Sequence, residues 1–320
     1  MQSDWKTAEV TAHVELGRRW RPGRRVDLLT TLLPMRRGSG DPTFRVDASG
    51  AVWRTTRTPD GPATTRLQVR ADLAEVDIRA WGPGAAWSLW AVPDLLGAAD
   101  DPAGFEPTHP VLRDMWRRHA GWRVPRSQRV LEALVPAVLE QKVTGREAWR
   151  AFRTLTLRYG EPAPGPDEHH GASDLVVPPD GRTWAMVPSW EWHRAGVDLS
   201  RSRTAVTAAG SAGRLEALCG LPPVEAAGKL RSLPGVGAWT AAEVAQRALG
   251  DADAVSVGDV HLAPLVGTVL VGERVDDDAM LELLEPYRGH RYRAVRMIEL
   301  SGIRYERHGP RYAGRDYRAM

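Results

Sequence analysis

Residues 230–246 read LRSLPGVGAWTAAEVAQ, and this stretch decides the fold of the chain. It predicts a helix that ends near Arg231, a turn over 233–237, and a second helix that begins at Ala238. Backbone N–H groups at the start of the second helix have no partner within the helix and lie at the positive end of its dipole. We therefore predict that the turn binds a DNA phosphate without regard to base sequence. The alternative is an ordinary turn between two helices with a glycine cap.

Two hydrophobic patterns divide the chain. Residues 1–105 alternate polar and apolar side chains between glycine and proline turns, which predicts an antiparallel sheet with one helix over 26–33. From about residue 110 the apolar spacing becomes helical. The sequence thus predicts an α+β fold, with a β-rich N-terminal domain over 1–105 and a helical region over 106–320.

The composition excludes several classes of protein. Of the 320 residues, 42% are apolar and 26% are charged, which is ordinary globular usage and excludes wholesale disorder. The single cysteine, Cys219, excludes an internal disulfide and an iron–sulfur cluster. No apolar run approaches the roughly 20 residues that span a bilayer, and the first ten residues carry no signal pattern, so we expect a cytoplasmic protein without a membrane partner. The 43 basic residues are nearly all arginine, which reflects either a GC-rich genome or a cationic surface for DNA.

A family resemblance rests on these motifs. Leu-Pro-Gly-Val-Gly, followed by Thr-Ala and later by an Asp-Val-His triplet, resembles the helix-hairpin-helix DNA glycosylase superfamily. The motif itself covers about 222–250, and the acid lies in a segment over 255–262. Upstream, VPAVLEQKV (135–143) resembles the helix and loop that enter the minor groove. The β-rich start and residues 288–298 place the resemblance nearest the bacterial inducible 3-methyladenine DNA glycosylases, and it implies two mostly helical subdomains after the sheet.

The acid of this pattern is Asp259, 20 residues beyond Trp239. Rupture of an N-glycosidic bond passes through a sugar with oxocarbenium character, and a nearby carboxylate stabilises that charge and positions a water. One acid is enough when the leaving purine is already cationic, and the target must be flipped out of the duplex to reach it. The alternative is that Asp259 caps a helix starting at Val260, and the two roles are compatible.

The resemblance implies a DNA glycosylase of base-excision repair that hydrolyses alkylated or otherwise damaged purines out of duplex DNA, without a required cofactor. Some members carry a lysine at the position of Trp239 that attacks the sugar as an amine. Neither Trp239 nor Thr240 can form an imine, so we expect a monofunctional enzyme without strand cleavage. We further expect a nucleoid-associated monomer. Two alternatives are a non-catalytic module that binds damaged or bent DNA and a glycosylase for a deaminated or bulky base.

The resemblance also assigns contacts with DNA in the hairpin and in the minor-groove loop. These residues are Gly235, Val236, Gly237, Thr240, Gln141, Lys142 and Val143. Gln141 would contact the orphaned base, and Lys142 stands where the relatives carry an aliphatic wedge, so it either props the gap or is a plain surface lysine. The resemblance further implies a structural Na⁺ or K⁺ on the backbone carbonyls of Arg231, Leu233 and Val236.

The predicted base pocket departs from the family pattern. Trp239 matches an aromatic wall, but Glu243 and Glu299 stand where the resemblance predicts aromatic rings. These acids either pair with a cationic base or bind nearby arginines, such as Arg247, Arg291 or Arg296. His261 either donates a proton to a less activated base or packs in the core.

Overall fold

The computed structural model describes residues 15–165 and 174–305. Its first part is a five-stranded antiparallel sheet in the order β1-β5-β4-β3-β2. The strands are β1 (Glu15–Trp20), β2 (Phe44–Val46), β3 (Val52–Thr58), β4 (Gly61–Arg70) and β5 (Glu75–Trp81). A tight turn joins β3 to β4 and closes at Gly61, whose φ of +122° favours glycine. The antiparallel sheet predicted from the period-two pattern is confirmed.

Two helices cover this sheet. α1 (Leu28–Leu32) lies within the predicted range 26–33, and α2 (Ala85–Leu95) follows β5. Their buried leucines pack against Leu67 and Ile78 of the sheet, so the N-terminal domain has a hydrophobic core of its own.

The rest of the described chain is mainly helical. Its helices are α3 (Pro110–Arg118), α4 (Val130–Leu139), α5 (Gly145–Tyr159), α6 (Gly181–Met186), α7 (Ser189–Arg194), α8 (Leu199–Ala209), α9 (Ala212–Glu216), α10 (Pro223–Leu230), α11 (Ala238–Val244), α12 (Leu262–Leu270), α13 (Asp277–Leu284) and α14 (Arg291–Leu300). Local signals set their ends. At α5, for example, the Thr144 side chain and the Glu147 side chain form a reciprocal capping box.

These helices build two cores. Every side chain of α4 from Val130 to Leu139 except Glu132 is buried, and α5 to α11 pack around it. The second core joins α3 to α12, α13 and α14. The two helical subdomains that the resemblance implied are therefore present, and the segment over 255–262 connects them.

A short ribbon from the helical region returns to the sheet. β6 (Glu161–Pro162) pairs with β7 (Val176–Val177), and the neighbouring Leu175 packs against the stacked rings of Trp53 and Trp81. The sequence predicted only a loop over 160–171, of which residues 166–171 lie outside the described part. The N-terminal domain is thus completed by residues distant in sequence.

A buried ion pair joins the first domain to the last helix. Arg293 is fully buried and makes two hydrogen bonds, of 2.9 and 2.7 Å, to the carboxylate of Asp100. The rings of Phe105, Trp116 and Trp122 lie 5.6 to 5.9 Å from the guanidinium carbon. The pair therefore fixes the segment after α2 against α14. Within the described residues, no helix combines the length and apolar character needed to cross a membrane.

We predict that Asp100→Asn lowers the free energy of unfolding by about 3–5 kcal/mol, because it leaves the Arg293 charge buried without its partner. Denaturant titration followed by tryptophan fluorescence measures the change. Asp114→Asn is the control, since Asp114 pairs with Arg117 and Arg118 at the surface and should cost less than about 1 kcal/mol. Equal effects of the two substitutions would contradict the structural role of Arg293.

Candidate functional site

The predicted hairpin is present between α10 and α11. Val236 is 5% exposed and packs into the first helical core, so it fills the space between the two helices. Gly235 has a φ of +84°, and a Cβ there would overlap the Thr204 hydroxyl. Gly237 has an ordinary φ of −91°, and a Cβ there would meet nothing within 4 Å. The fold thus requires a glycine at 235, whereas packing within the protein does not require one at 237.

The loop over 141–143, which the resemblance assigns to the minor groove and which we call the minor-groove loop, is tied to the hairpin by one amide. Gln141 Nε2 donates to Gly235 O at 2.9 Å and to Thr240 Oγ1 at 2.8 Å. Thr240 is 2% exposed. Its side chain therefore lies inside the protein, where its hydroxyl holds the loop. A contact between Thr240 and DNA stays a prediction. A contact between Gln141 and an orphaned base stays a prediction.

Lys142 forms the tip of this loop. It is exposed and has a φ of +54°, a left-handed conformation that costs a non-glycine residue on the order of 1 kcal/mol. The next residue, Val143, is half-buried and packs against the first helical core. Of the two, Lys142 is therefore the side chain that projects outward, and Val143 anchors the loop.

The carboxylate of Asp259 is held by two donors. Trp239 Nε1 donates to Oδ2 at 3.1 Å, and the backbone N–H of His261 donates to Oδ1 at 2.8 Å. Gly258 precedes the acid with a φ of +91°. α12 begins at Leu262 rather than at Val260, so Asp259 caps the turn before the helix. The half-buried carboxylate keeps lone pairs on both oxygens for a further ligand.

His261 lies beside this acid and is exposed, so the interpretation of core packing is wrong. Its Nδ1 lies 2.6 Å from the hydroxyl of Tyr305, and the Arg274 guanidinium lies 5.3 Å from the Tyr305 ring centroid. The sequence did not single out Tyr305, because the contact joins residues 44 apart. Residues 306–320, which follow, lie outside the described part of the chain.

Both acids at the expected aromatic positions have arginine partners. Glu243 pairs with Arg247 at 2.8 Å and accepts a 2.6 Å hydrogen bond from Ser256. Burial is the largest single influence on the pKa of Arg247 and lowers it, but Glu243 and the other acidic groups nearby together raise the pKa by more, so the net shift is upward. Glu299 pairs with Arg296 at 2.8 Å.

These pairs belong to one charged cluster around α14. Arg291, the third arginine considered, pairs with Asp253 instead. Burial raises the pKa of Tyr292 to about 12, because the protein interior disfavours the phenolate. Arg247 also donates to the backbone of Pro34, and Arg296 to that of Thr30. The cluster therefore joins α11 and α14 to the N-terminal domain.

Comparisons with known proteins agree with this architecture. No protein-family model matches the chain. Over 155 residues, 48% of the chain, it is 35% identical to a protein of Mycobacterium tuberculosis described as a probable bifunctional transcriptional activator/DNA repair enzyme AlkA. That match covers 30% of the curated relative, so the chain spans about a third of its length.

Two solved structures share the fold. A 3-methyladenine DNA glycosylase from Archaeoglobus fulgidus has a TM-score of 0.71 and 16% identity, and the match covers 89% of this chain and 98% of that one. An 8-oxoguanine glycosylase/lyase of Clostridium acetobutylicum, in complex with DNA, has a TM-score of 0.65 and 12% identity, over 85% and 90% of the two chains. The likeness confirms the predicted α+β architecture.

The two hairpin glycines give a direct test of this geometry. We predict that Gly235→Ala lowers the free energy of unfolding by at least about 1–2 kcal/mol, because it combines a left-handed backbone with an overlap at Thr204. Gly237→Ala should cost less than about 1 kcal/mol, since only its preference as a helix cap is lost. Thermal and urea unfolding measure both, and the reverse order of the two effects would reject the turn.

Proposed function

We propose that this chain, a relative of an AlkA-type repair enzyme with the fold of the helix-hairpin-helix DNA glycosylases, is a monofunctional DNA glycosylase that removes damaged purines from duplex DNA. The observation that carries the proposal is the hydrogen bond between Trp239 and Asp259. It holds a carboxylate against the second residue of α11, directly after a turn suited to a phosphate. Both groups lie where the two helical subdomains meet.

The hairpin binds the DNA strand through one of its backbone phosphates. The N–H groups at the start of α11 follow Gly237, which is exposed and where an added Cβ would meet no atom within 4 Å. A phosphate oxygen can approach this backbone more closely than a Cβ would allow. Because Trp239 is the second residue of α11, the bound phosphate and Asp259 keep a fixed separation. The sugar next to that phosphate is thereby brought to the acid.

The chemistry follows from that placement. The bond between C1′ and the base nitrogen breaks, and the base takes the electron pair. Asp259 stabilises the positive charge that develops on the sugar and orients a water, which adds to C1′ and gives its proton to the carboxylate. An alkylated purine already carries a positive charge, so it leaves as a neutral molecule. The Trp239 indole keeps the carboxylate directed while the reaction proceeds.

A monovalent cation at the hairpin is part of the proposal. Backbone carbonyls are suitable ligands for Na⁺ or K⁺, and the set would be Arg231, Leu233 and Val236. Leu233 O already accepts the N–H of Val236 at 3.0 Å, which leaves one lone pair for an ion. Bound there, the cation would hold the turn rigid and add positive charge near the phosphate. No step of the reaction depends on it.

One observation favours a second class of substrate. The negative charges of Glu243 and Glu299 are balanced by Arg247 and Arg296, so they add little attraction for a cationic base. A neutral deaminated purine, read by hydrogen bonds, is therefore the second candidate. Mass spectrometry of the bases released from randomly damaged DNA separates the two classes. Tight duplex binding with no base released would instead favour the non-catalytic module.

We predict that Asp259→Asn lowers the single-turnover rate of base release from methylated duplex DNA by at least about 100-fold, because an amide cannot balance the sugar cation. Asp278→Asn is the control, since Asp278 is exposed on α13 and should leave the rate unchanged. Abasic sites are counted by alkaline cleavage. Equal rates for wild type and Asp259→Asn would reject the catalytic assignment.

We predict that borohydride traps no covalent adduct between the protein and DNA. Trp239 occupies the position of the nucleophilic amine, and its indole nitrogen forms no imine. Borohydride is added during base release, and denaturing electrophoresis detects any shifted band. Trp239→Lys is the matched comparison, because it places an amine beside Asp259 and should allow trapping. A shifted band with the wild-type protein would show lyase chemistry.

A further inference from the structure

A row of arginines on α5 has no role in the site described above. Arg146, Arg150 and Arg153 follow one another at spacings of four and three residues, so they share one face of the helix. They extend about 10 Å along its axis. We call these three residues the arginine stripe. It begins two residues after Thr144, at the end of the minor-groove loop.

The stripe is unusual because it is unpaired. All three side chains are exposed. Within residues 15–165 and 174–305 none of them makes an ion pair or a side-chain hydrogen bond, whereas Arg158 on another face of the same helix pairs with Glu191 at 2.8 Å. Three unpaired like charges on one face repel each other. Such a face is stabilised by a polyanion that neutralises it.

The far end of the stripe opens into a cleft against the N-terminal domain. The cleft has a volume of about 300 Å³, and Arg153 lines it together with Arg36 and Arg45. Arg36 Nε is buried and has no hydrogen-bond partner among the described residues, although Nη2 donates to Ser39 O. Asp41, an acid of the cleft, accepts the backbone N–H groups of Arg37 and Thr43. The cleft is therefore rich in arginine, and its two acids, Asp41 and Asp174, already have partners within the protein.

The same part of the N-terminal domain is attached to the minor-groove loop. Arg37 pairs with Glu140 at 3.2 Å, and Trp149 of α5 donates to the same carboxylate. Glu140 directly precedes Gln141, which holds the hairpin. The cleft and the stripe are thus held in a fixed relation to the loop that would enter the duplex.

From these observations we infer a second contact with DNA. The arginine stripe and Arg36 bind backbone phosphates of the duplex on one side of the lesion, which we call the flank. α5 and the N-terminal domain then contact this flank together. This inference rests on the proposed function, because the minor-groove loop defines where the lesion lies. The contact reads no base sequence, since guanidinium groups on phosphates carry none.

The salt dependence of binding tests the inference. Affinity for a duplex with a stable abasic-site analogue is measured by fluorescence anisotropy across a range of salt concentrations. Each phosphate contact contributes about 0.9 to the slope of log K against log salt. We expect Arg150→Gln and Arg153→Gln to lower the slope by about 0.9 each, and the double variant by about 1.8. Arg153→Lys, which keeps the charge, should retain the wild-type slope.

Controls separate this contact from the general charge of the protein. Arg288→Gln also removes one exposed cation, but Arg288 pairs with Glu285, so its slope should stay at the wild-type value. Shortening one flank of the duplex by about 5 base pairs, or about 17 Å, should weaken binding by wild type more than binding by the double variant, which keeps only Arg146 and Arg36 on that flank. Shortening the other flank should affect both proteins equally. The inference would be overturned if the double variant kept the wild-type salt slope. It would also be overturned if shortening either flank lowered the affinity of wild type by the same factor.

The same proteins distinguish this inference from the proposed function. At saturating enzyme, the double variant should release bases at the wild-type rate, because the described partners of the Asp259 carboxylate are Trp239 and His261 and include no residue of the stripe. If neither wild type nor the double variant releases bases, but the double variant shows the expected lower salt slope, the glycosylase activity is rejected and the flank contact is kept. Base release by both proteins, with the same salt slope in the double variant as in wild type, would support the glycosylase and reject the flank contact.

Discussion

The hydrogen bond from the Trp239 indole to Asp259 is the constraint on which the site depends. It links a residue of the first helical subdomain to the connection that leads into the second. Without it, the turn around Gly237 and the carboxylate would belong to separately packed bodies. Trp239 was expected to line a pocket, but its N–H also fixes the acid.

A second constraint couples the two elements that would touch DNA. One amide, that of Gln141, donates both to the turn and to the buried Thr240. The loop tip at Lys142 is therefore positioned by the hairpin, and the base of the loop is held by Arg37 of the N-terminal domain. The three parts of the chain meet at this loop. The N-terminal domain thus supports the site even though it supplies no residue to the chemistry.

Local signals in the sequence predicted much of this arrangement. The end of α10 and the start of α11 were predicted from two glycines and the apolar spacing, which act within a few residues. Long-range partners could not be predicted in this way. No local sequence signal indicates that Arg291 pairs with Asp253 while Arg296 pairs with Glu299. The contact between Tyr305 and His261 has no local signal either. Burial of Thr240 likewise depends on packing between subdomains.

The ribbon of β6 and β7 has a practical consequence for anyone who wishes to divide the chain. A cut near residue 105 separates the sheet from Leu175, which lies against Trp53 and Trp81. It also separates Asp100 from Arg293. Neither fragment would keep a complete interior, so the two halves are better regarded as one cooperative unit than as exchangeable modules.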